Sequence, residues 1–254
     1  MKILLSPAKS IDTNRAIAVP TVSQAHFLDE SEYLINKLKK FSATKIAKMM
    51  HISKELGELN YNRYQEWHRP ESVVENVVPT VTAFTGEVYR GLDVESFTTK
   101  DFTFAQESLR ILSGLYGILK PLDLLYPYRL EMGTSWKVTP KTTSLYKYWG
   151  TKLADFLNNE MTDGEAVINL ASSEYFKAVD QKALKATMIT PVFKELKNGE
   201  YKVVMTYAKN ARGVMTRYII KNGLTNPEDI KLFNENNYAF DVNQSTDTEW
   251  VFTR

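Results

Sequence analysis

The chain of 254 residues contains no cysteine. That excludes a disulfide framework, a thiolate metal site and a cysteine nucleophile. It also lacks any apolar run near the roughly eighteen residues that a membrane-spanning helix requires. The opening Met1-Lys2-Ile3-Leu4-Leu5-Ser6-Pro7 has too short an apolar stretch for a secretory leader and reads as a strand. Cytoplasm is the expected compartment. Histidine is scarce: His26, His51 and His68 are scattered with no His-x-x-x-His or His–carboxylate spacing, so no metal site is expected. Without a Walker loop or a Gly-x-Gly-x-x-Gly, no nucleotide cofactor is expected either. Ser113 stands in Leu-Ser-Gly, not in the Gly-x-Ser-x-Gly of a hydrolase nucleophile elbow.

What remains is an ordinary globular composition, 43% hydrophobic and 24% charged, able to bury a sizeable core. The net charge of +2 is unevenly spread. Residues 221–254 hold three Lys/Arg and six Asp/Glu, which leaves 29 basic and 24 acidic residues in the first 220. Such a surplus is compatible with an anionic partner, and equally with a solvated face. There is no repeat, low-complexity tract or linker, so one domain is the simplest organisation.

Periodicity and punctuation predict a strand at 2–5, then helices at Leu28–Phe41, Ala43–Met50 and from Ser53 through Tyr64, with Ser42 and Ser53 as N-caps. Val77–Phe84 reads as a strand, Gly86–Leu92 as a helical turn and Thr98–Leu112 as a helix. Ser144 opens a helix to about Glu160, Ala166–Ala171 is a buried strand, and a helix begins near Ser173. Thr190–Glu195 and Tyr201–Tyr207 form a hairpin across Asn198-Gly199. A helix at Ala211–Asn222 ends at Gly223, and Asn226-Pro227 caps a last short one. Two strands near Tyr238–Val242 and Glu249–Phe252 close the chain. Strands and helices do not alternate strictly, so the expected class is mixed α/β (α+β): one domain, a mixed sheet and surrounding helices.

Three segments share a pattern in which a strand ends and small, polar or basic residues follow: Ser6–Lys9, Asn169–Lys177 and Tyr207–Gly213. Ligands favour the crevice beyond the carboxyl ends of strands in open α/β sheets. With Lys9, Lys177, Lys209 and Arg212 nearby, a phosphate-lined crevice is one reading; ordinary helix capping is the other. A second constellation, Leu109–Pro121, carries Ser113-Gly114-Leu115-Tyr116-Gly117 between apolar segments. A helix–hairpin–helix there would bring the backbone of Gly114 and Gly117 close to a phosphodiester, with Arg110 and Lys120 adding charge. By spacing alone a plain αα-hairpin is the commoner explanation. The third, Tyr126–Gly133 beside Asp123, interleaves aromatic rings with Arg129, as base-stacking surfaces do and as core edges also do.

At these residues the chain resembles the YaaA peroxide-stress family. The likeness is carried by Ser6-Pro7-Ala8-Lys9, Phe84–Tyr89, Leu112–Leu124, Pro127–Gly133, Leu145–Gly150, Asn169–Val179 and Tyr207–Ile220. Ser10 and Glu87 stand where Thr and Asp are usual in the family, and Lys120 where Arg is usual. The resemblance implies an unusual mixed fold with a positively charged cleft and a helix–hairpin–helix, binding of double-stranded or distorted DNA, and a part in limiting Fenton damage by keeping free iron low. It puts the hairpin on Ser113–Gly117 and the cleft on Lys9, Arg129, Lys177, Lys209, Arg212 and Arg217. No enzymatic activity comes with it. The residues leave an alternative open: an enzyme in the same cleft, acting on a damaged base or a phosphorylated small molecule. Lys9 or Lys209 would be its nucleophile and Glu131 or Glu174 its acid/base.

Overall fold

Ile3, Leu4 and Leu5 are completely buried, as a strand covered on both faces of a parallel sheet must be. In the computed structural model, which describes residues 1–254, they belong to β1 (Lys2–Leu5). Helices α1 (Leu28–Leu38), α2 (Ala43–Met50) and α3 (Lys54–Glu66) follow. The chain continues through β2 (Val78–Pro79), α4 (Thr80–Ala83), α5 (Glu87–Leu92), α6 (Thr99–Ser108), β3 (Leu109–Ser113), β4 (Gly117–Leu119) and β5 (Leu124–Leu125). Then come α7 (Leu145–Trp149), α8 (Lys152–Glu160), β6 (Ala166–Leu170), α9 (Ser173–Phe176), β7 (Thr187–Lys197) and β8 (Glu200–Lys202). The long α10 (Met205–Asn222) precedes β9 (Ala239–Phe240) and β10 (Glu249–Thr253).

The sheet is mixed and eight-stranded, in the order β4-β3-β1-β6-β7-β10-β9, with β8 paired to the far end of β7. Strands β3, β1, β6, β7 and β10 are parallel, and β4, β8 and β9 run antiparallel at its margins. Buried apolar side chains from α1 to β10 form one continuous core. No helix is long and apolar enough to cross a membrane.

The largest correction concerns Leu109–Leu119. It is an antiparallel β-hairpin, β3–β4, with Ile111 opposite Leu119 and Ser113 opposite Gly117. Helix α6 stops at Ser108, and Leu109 is already extended (φ −88°, ψ 136°). Every side chain of β3 is buried, so this run is apolar-facing on all sides and its periodicity does not separate helix from strand. Pairing with β1 decides the matter, Ile3 to Leu5 aligning with Leu109 to Ile111. Other differences are smaller. Val77–Phe84 splits into β2 and α4; the expected helix from Ser144 breaks at Gly150 (φ +52°) into α7 and α8. Helix α10 starts at Met205, so the expected strand Tyr201–Tyr207 is limited to β8.

Two close helix contacts shape the molecule. Helices α2 and α3 form a tight αα-hairpin across His51-Ile52-Ser53. His51 is left-handed (φ +53°), and Ser42 and Ser53 cap the two helices by accepting from Lys45 and Leu56 N–H, each at 3.3 Å. Gly57 allows the approach, for a Cβ there would lie 2.7 Å from Ala47 Cβ. Helices α5 and α10 cross closer still: a Cβ on Gly213 would fall 1.8 Å from the Val88 carbonyl oxygen, and one on Gly91 2.3 Å from that of Asn210. Backbone stands in the way at both positions, so no rotamer change relieves the clash. Gly213→Ala is therefore expected to destabilise the protein by about 3 kcal/mol, the upper end of ordinary overpacking. A chemical-denaturation midpoint within error of wild type would contradict this packing.

Candidate functional site

Because β1 and β6 are parallel neighbours, both deliver their carboxyl ends to the same edge of the sheet. Ser6–Ser10 after β1 and Ser172, Glu174 and Tyr175 after β6 form one side of a cavity of about 240 Å³. Thr85–Tyr89 at the start of α5, with Lys209 and Arg212 on α10, form the other. The two strand ends are pinned together: Ser6 Oγ accepts from Ser172 N–H at 2.8 Å and donates to Ser172 Oγ at 3.2 Å. Tyr89 Oη donates to the Ser6 carbonyl at 3.0 Å, tying α5 to the same loop. Two of the three segments singled out in the sequence thus end strands as expected. The third, Tyr207–Gly213, lies within α10 and follows no strand, yet its Lys209 and Arg212 reach the same cavity.

The charges in and around this cavity differ in whether they are already satisfied. Lys9 pairs with Glu131 Oε2 at 3.2 Å, and Arg129 with Glu131 Oε1 at 2.8 Å. Glu174 accepts the Gly133 N–H at 2.9 Å, and Glu87 pairs with Arg90. Lys209 and Arg212 have no carboxylate partner. Arg212 is half-buried, and desolvation alone pulls its guanidinium below the ordinary arginine value. Of the four candidate catalytic groups, Lys9, Glu174 and Lys209 line the cavity and Glu131 the small recess beside it. The Lys9 side chain is 64% exposed, unlike the desolvated setting that activates an amine nucleophile.

Other predicted DNA contacts lie elsewhere. Arg110 is 1% exposed; its guanidinium bonds Glu160 at 2.7 Å and the carbonyls of Gln106, Glu107 and Leu109. Ser113 is fully buried, sharing a 2.6 Å hydrogen bond with Tyr128 Oη and accepting the N–H groups of Leu115 and Tyr116. Gly114 and Gly117 are packing glycines, since Cβ atoms there would strike the Leu130 carbonyl and the Trp149 ring at 2.2 and 2.7 Å. A phosphodiester cannot reach these groups. Lys120 is held by Glu160 at 2.6 Å, and Arg217 by Glu235 at 2.8 Å and Asp93 at 3.4 Å. Asp123 is a turn residue, accepting from Ser23 Oγ at 2.6 Å and Lys120 N–H at 2.7 Å, and burial pushes its carboxyl up to about 6. Lys177 is exposed beyond α9, outside the cavity.

A second surface was missed in the sequence. Residues 33–54 contain six lysines and no acid, and residues 132–154 contain four lysines and no acid. The fold brings the two stretches together where Trp136 packs edge-on against Phe41, ring centroids 6.1 Å apart. There Lys45, Lys48 and Lys137 rim an open groove of about 340 Å³, floored by Phe41, Met49 and Trp136. Lys45 Nζ lies 3.5 Å from the Phe41 ring centroid. The absence of acids along each stretch was the available signal; tallying charge over the whole first 220 residues hid it.

The profile of the family described as "Peroxide stress protein YaaA" matches residues 1–244. The chain belongs to this family. A UPF0246 protein of Saccharophagus degradans is 49% identical over 256 residues, spanning all of this chain and 99% of that protein. UPF0246 proteins of Marinomonas sp. and Dechloromonas aromatica are 47% and 48% identical, again over all of this chain and over 97% and 99% of theirs. The YaaA name supports a role in peroxide stress. Burial and its bond to Glu160 assign Arg110 to the core: Arg110→Ala is expected to cost about 3 kcal/mol of stability, as removal of one partner from a buried ion pair does. A variant as stable as wild type would contradict the assignment.

Proposed function

We propose that this member of the YaaA family is a DNA-binding protein of the peroxide-stress response, and that the outcome it serves is less Fenton-type damage through lower free iron. The iron half rests on the family likeness. No three His, Asp or Glu side chains converge in a metal-holding arrangement, so the reading does not make the protein an iron store. The DNA half rests on the lysine-rimmed groove at the α2–α3 hairpin. Of the ten lysines in the two contributing stretches only Lys54 and Lys152 are paired with acids, Glu58 and Glu30. This leaves a local positive surplus, and phosphate contacts supply most sequence-independent DNA affinity. Phe41 and Trp136 add an aromatic floor, which suits unpaired or distorted bases. The tight turn at His51-Ile52-Ser53 lets the helix pair approach a backbone closely, the part first expected of Ser113–Gly117.

From this groove the segment Arg129–Lys137 runs back to the cavity, where Glu131 meets Lys9 and Gly133 meets Glu174. Lys9, Arg129 and Lys177 are further cations offered to the same DNA, whereas Lys209 and Arg212 face into the cavity. Fluorescence anisotropy of labelled duplex and bulged DNA across a salt series tests the reading. Each phosphate contact contributes about 0.9 to the slope of log affinity against log salt. The Lys45→Ala/Lys48→Ala/Lys137→Ala variant is expected to bind more weakly, with a slope shallower by about 2 to 3. Salt-insensitive binding, or an unchanged slope in the variant, would remove the DNA reading.

A further inference from the structure

Arginines in this protein are almost all spoken for. Seven of the nine hold a carboxylate: Arg15, Arg69, Arg90, Arg110, Arg129, Arg217 and Arg254. The exceptions, both half-buried, are Arg63 on α3 and Arg212, and Arg212 lines the cavity at the strand ends. A half-buried guanidinium without a partner is an uncompensated cost unless something anionic is bound beside it. Lys209, one turn earlier on α10, is likewise unpaired, whereas Glu87 and Glu174 are already engaged by Arg90 and the Gly133 N–H. The cavity therefore presents two unpaired cations, Lys209 and Arg212, against one carboxylate, Glu174, that no cation neutralises.

The remaining walls define the rest of the ligand. Ser6, Ser10, Thr85 and Ser172 supply hydroxyls, while Tyr89, Tyr175 and Leu170 supply apolar surface. At about 240 Å³ the space lies just below the roughly 300–1,000 Å³ typical of drug-sized ligands. A duplex does not fit inside it. We propose that this cavity is a binding site for a phosphomonoester carried on a sugar, no larger than a single nucleotide, with Arg212 and Lys209 holding the phosphate dianion. The hydroxyls and tyrosines face the sugar and any base. The site is separate from the lysine groove on α2–α3, and its existence does not depend on the DNA reading. The same phosphate chemistry has two sources, a free nucleotide or sugar phosphate and the terminal phosphate of a DNA strand.

Isothermal titration calorimetry of the full chain decides it, with adenosine monophosphate, ribose 5-phosphate, orthophosphate, adenosine, and a single-stranded oligonucleotide with or without a 5′-phosphate. Adenosine monophosphate and ribose 5-phosphate are expected to bind at least tenfold more tightly than adenosine. Because the second ionisation of a phosphomonoester lies near pH 6, affinity should rise between pH 5 and pH 7. Arg212→Gln should weaken binding tenfold or more, and Lys209→Gln, on an exposed position that does not threaten folding, several-fold. A free ligand is the source if the monophosphate binds at least as tightly as the 5′-phosphorylated oligonucleotide. A strand end is the source if the oligonucleotide binds more tightly and loses tenfold without its 5′-phosphate. No binding of any phosphomonoester by wild type, adenosine matching its monophosphate, or unchanged affinity in Lys209→Gln would each overturn the proposal. Arg212→Gln and Lys209→Gln should retain duplex affinity through Lys45, Lys48 and Lys137, so failure of this site and failure of the DNA reading give different results.

Discussion

Burial of β1 between β3 and β6 is the constraint on which the rest of the structure depends. Ile3, Leu4 and Leu5 pair on both edges and have no exposed surface at all. Once β1 is central, Leu109–Ile111 must be extended to satisfy its backbone groups. Arg110 then sits opposite Leu4 inside the sheet. Its charge is tolerable only because Glu160 and three carbonyls meet it. The same parallel pairing puts Ser6 and Ser172 side by side and makes the strand-end loops one wall of a cavity. The opposite wall depends on backbone-to-backbone packing of α5 on α10, which only glycine at 91 and 213 permits.

Ion pairing divides the cations into two populations. Arg110, Lys120 and Arg217 are consumed by Glu160, Asp93 and Glu235 and hold the fold together. Lys45, Lys48, Lys137, Lys209 and Arg212 form no ion pair. The free group is itself in two places. One is a shallow groove with an aromatic floor, suited to an extended polyanion; the other is a small cavity with tyrosine walls, suited to a compact one. Proximity along the chain does not reveal this division, because Arg110 and Lys120 look as available in the sequence as Lys209 and Arg212.

Much of the architecture was legible. The serines at 42 and 53 cap helices as their position before apolar periodicity indicates, Asn198-Gly199 turns a hairpin, and Gly223 ends α10 with φ +59°. The meeting of Ser6–Lys9 with Ser172–Tyr175 was legible as well, since strand ends are marked by small and polar residues, whereas Lys209 and Arg212 reach the same place from within α10 and not from the strand end that suggested them. Leu109–Leu119 was not: it is buried on every face, and a Gly-x-x-Gly pair serves a β-turn as well as a helical one. The true start of α10 was hidden because Val204 makes no side-chain cap. The break at Gly150 fell inside a run whose apolar spacing continues on both sides. The groove at Phe41 and Trp136 joins residues almost a hundred positions apart, and only the fold brings them together.

The most direct test of where this protein meets DNA is lysine-specific acetylation of the whole chain, free and bound to duplex, read residue by residue by mass spectrometry. Protection of Lys45, Lys48 and Lys137, with Lys120 and Lys231 unchanged, is the result this account predicts. Protection of Lys120 with Lys45 and Lys48 left reactive would place DNA beside the β3–β4 hairpin and contradict it.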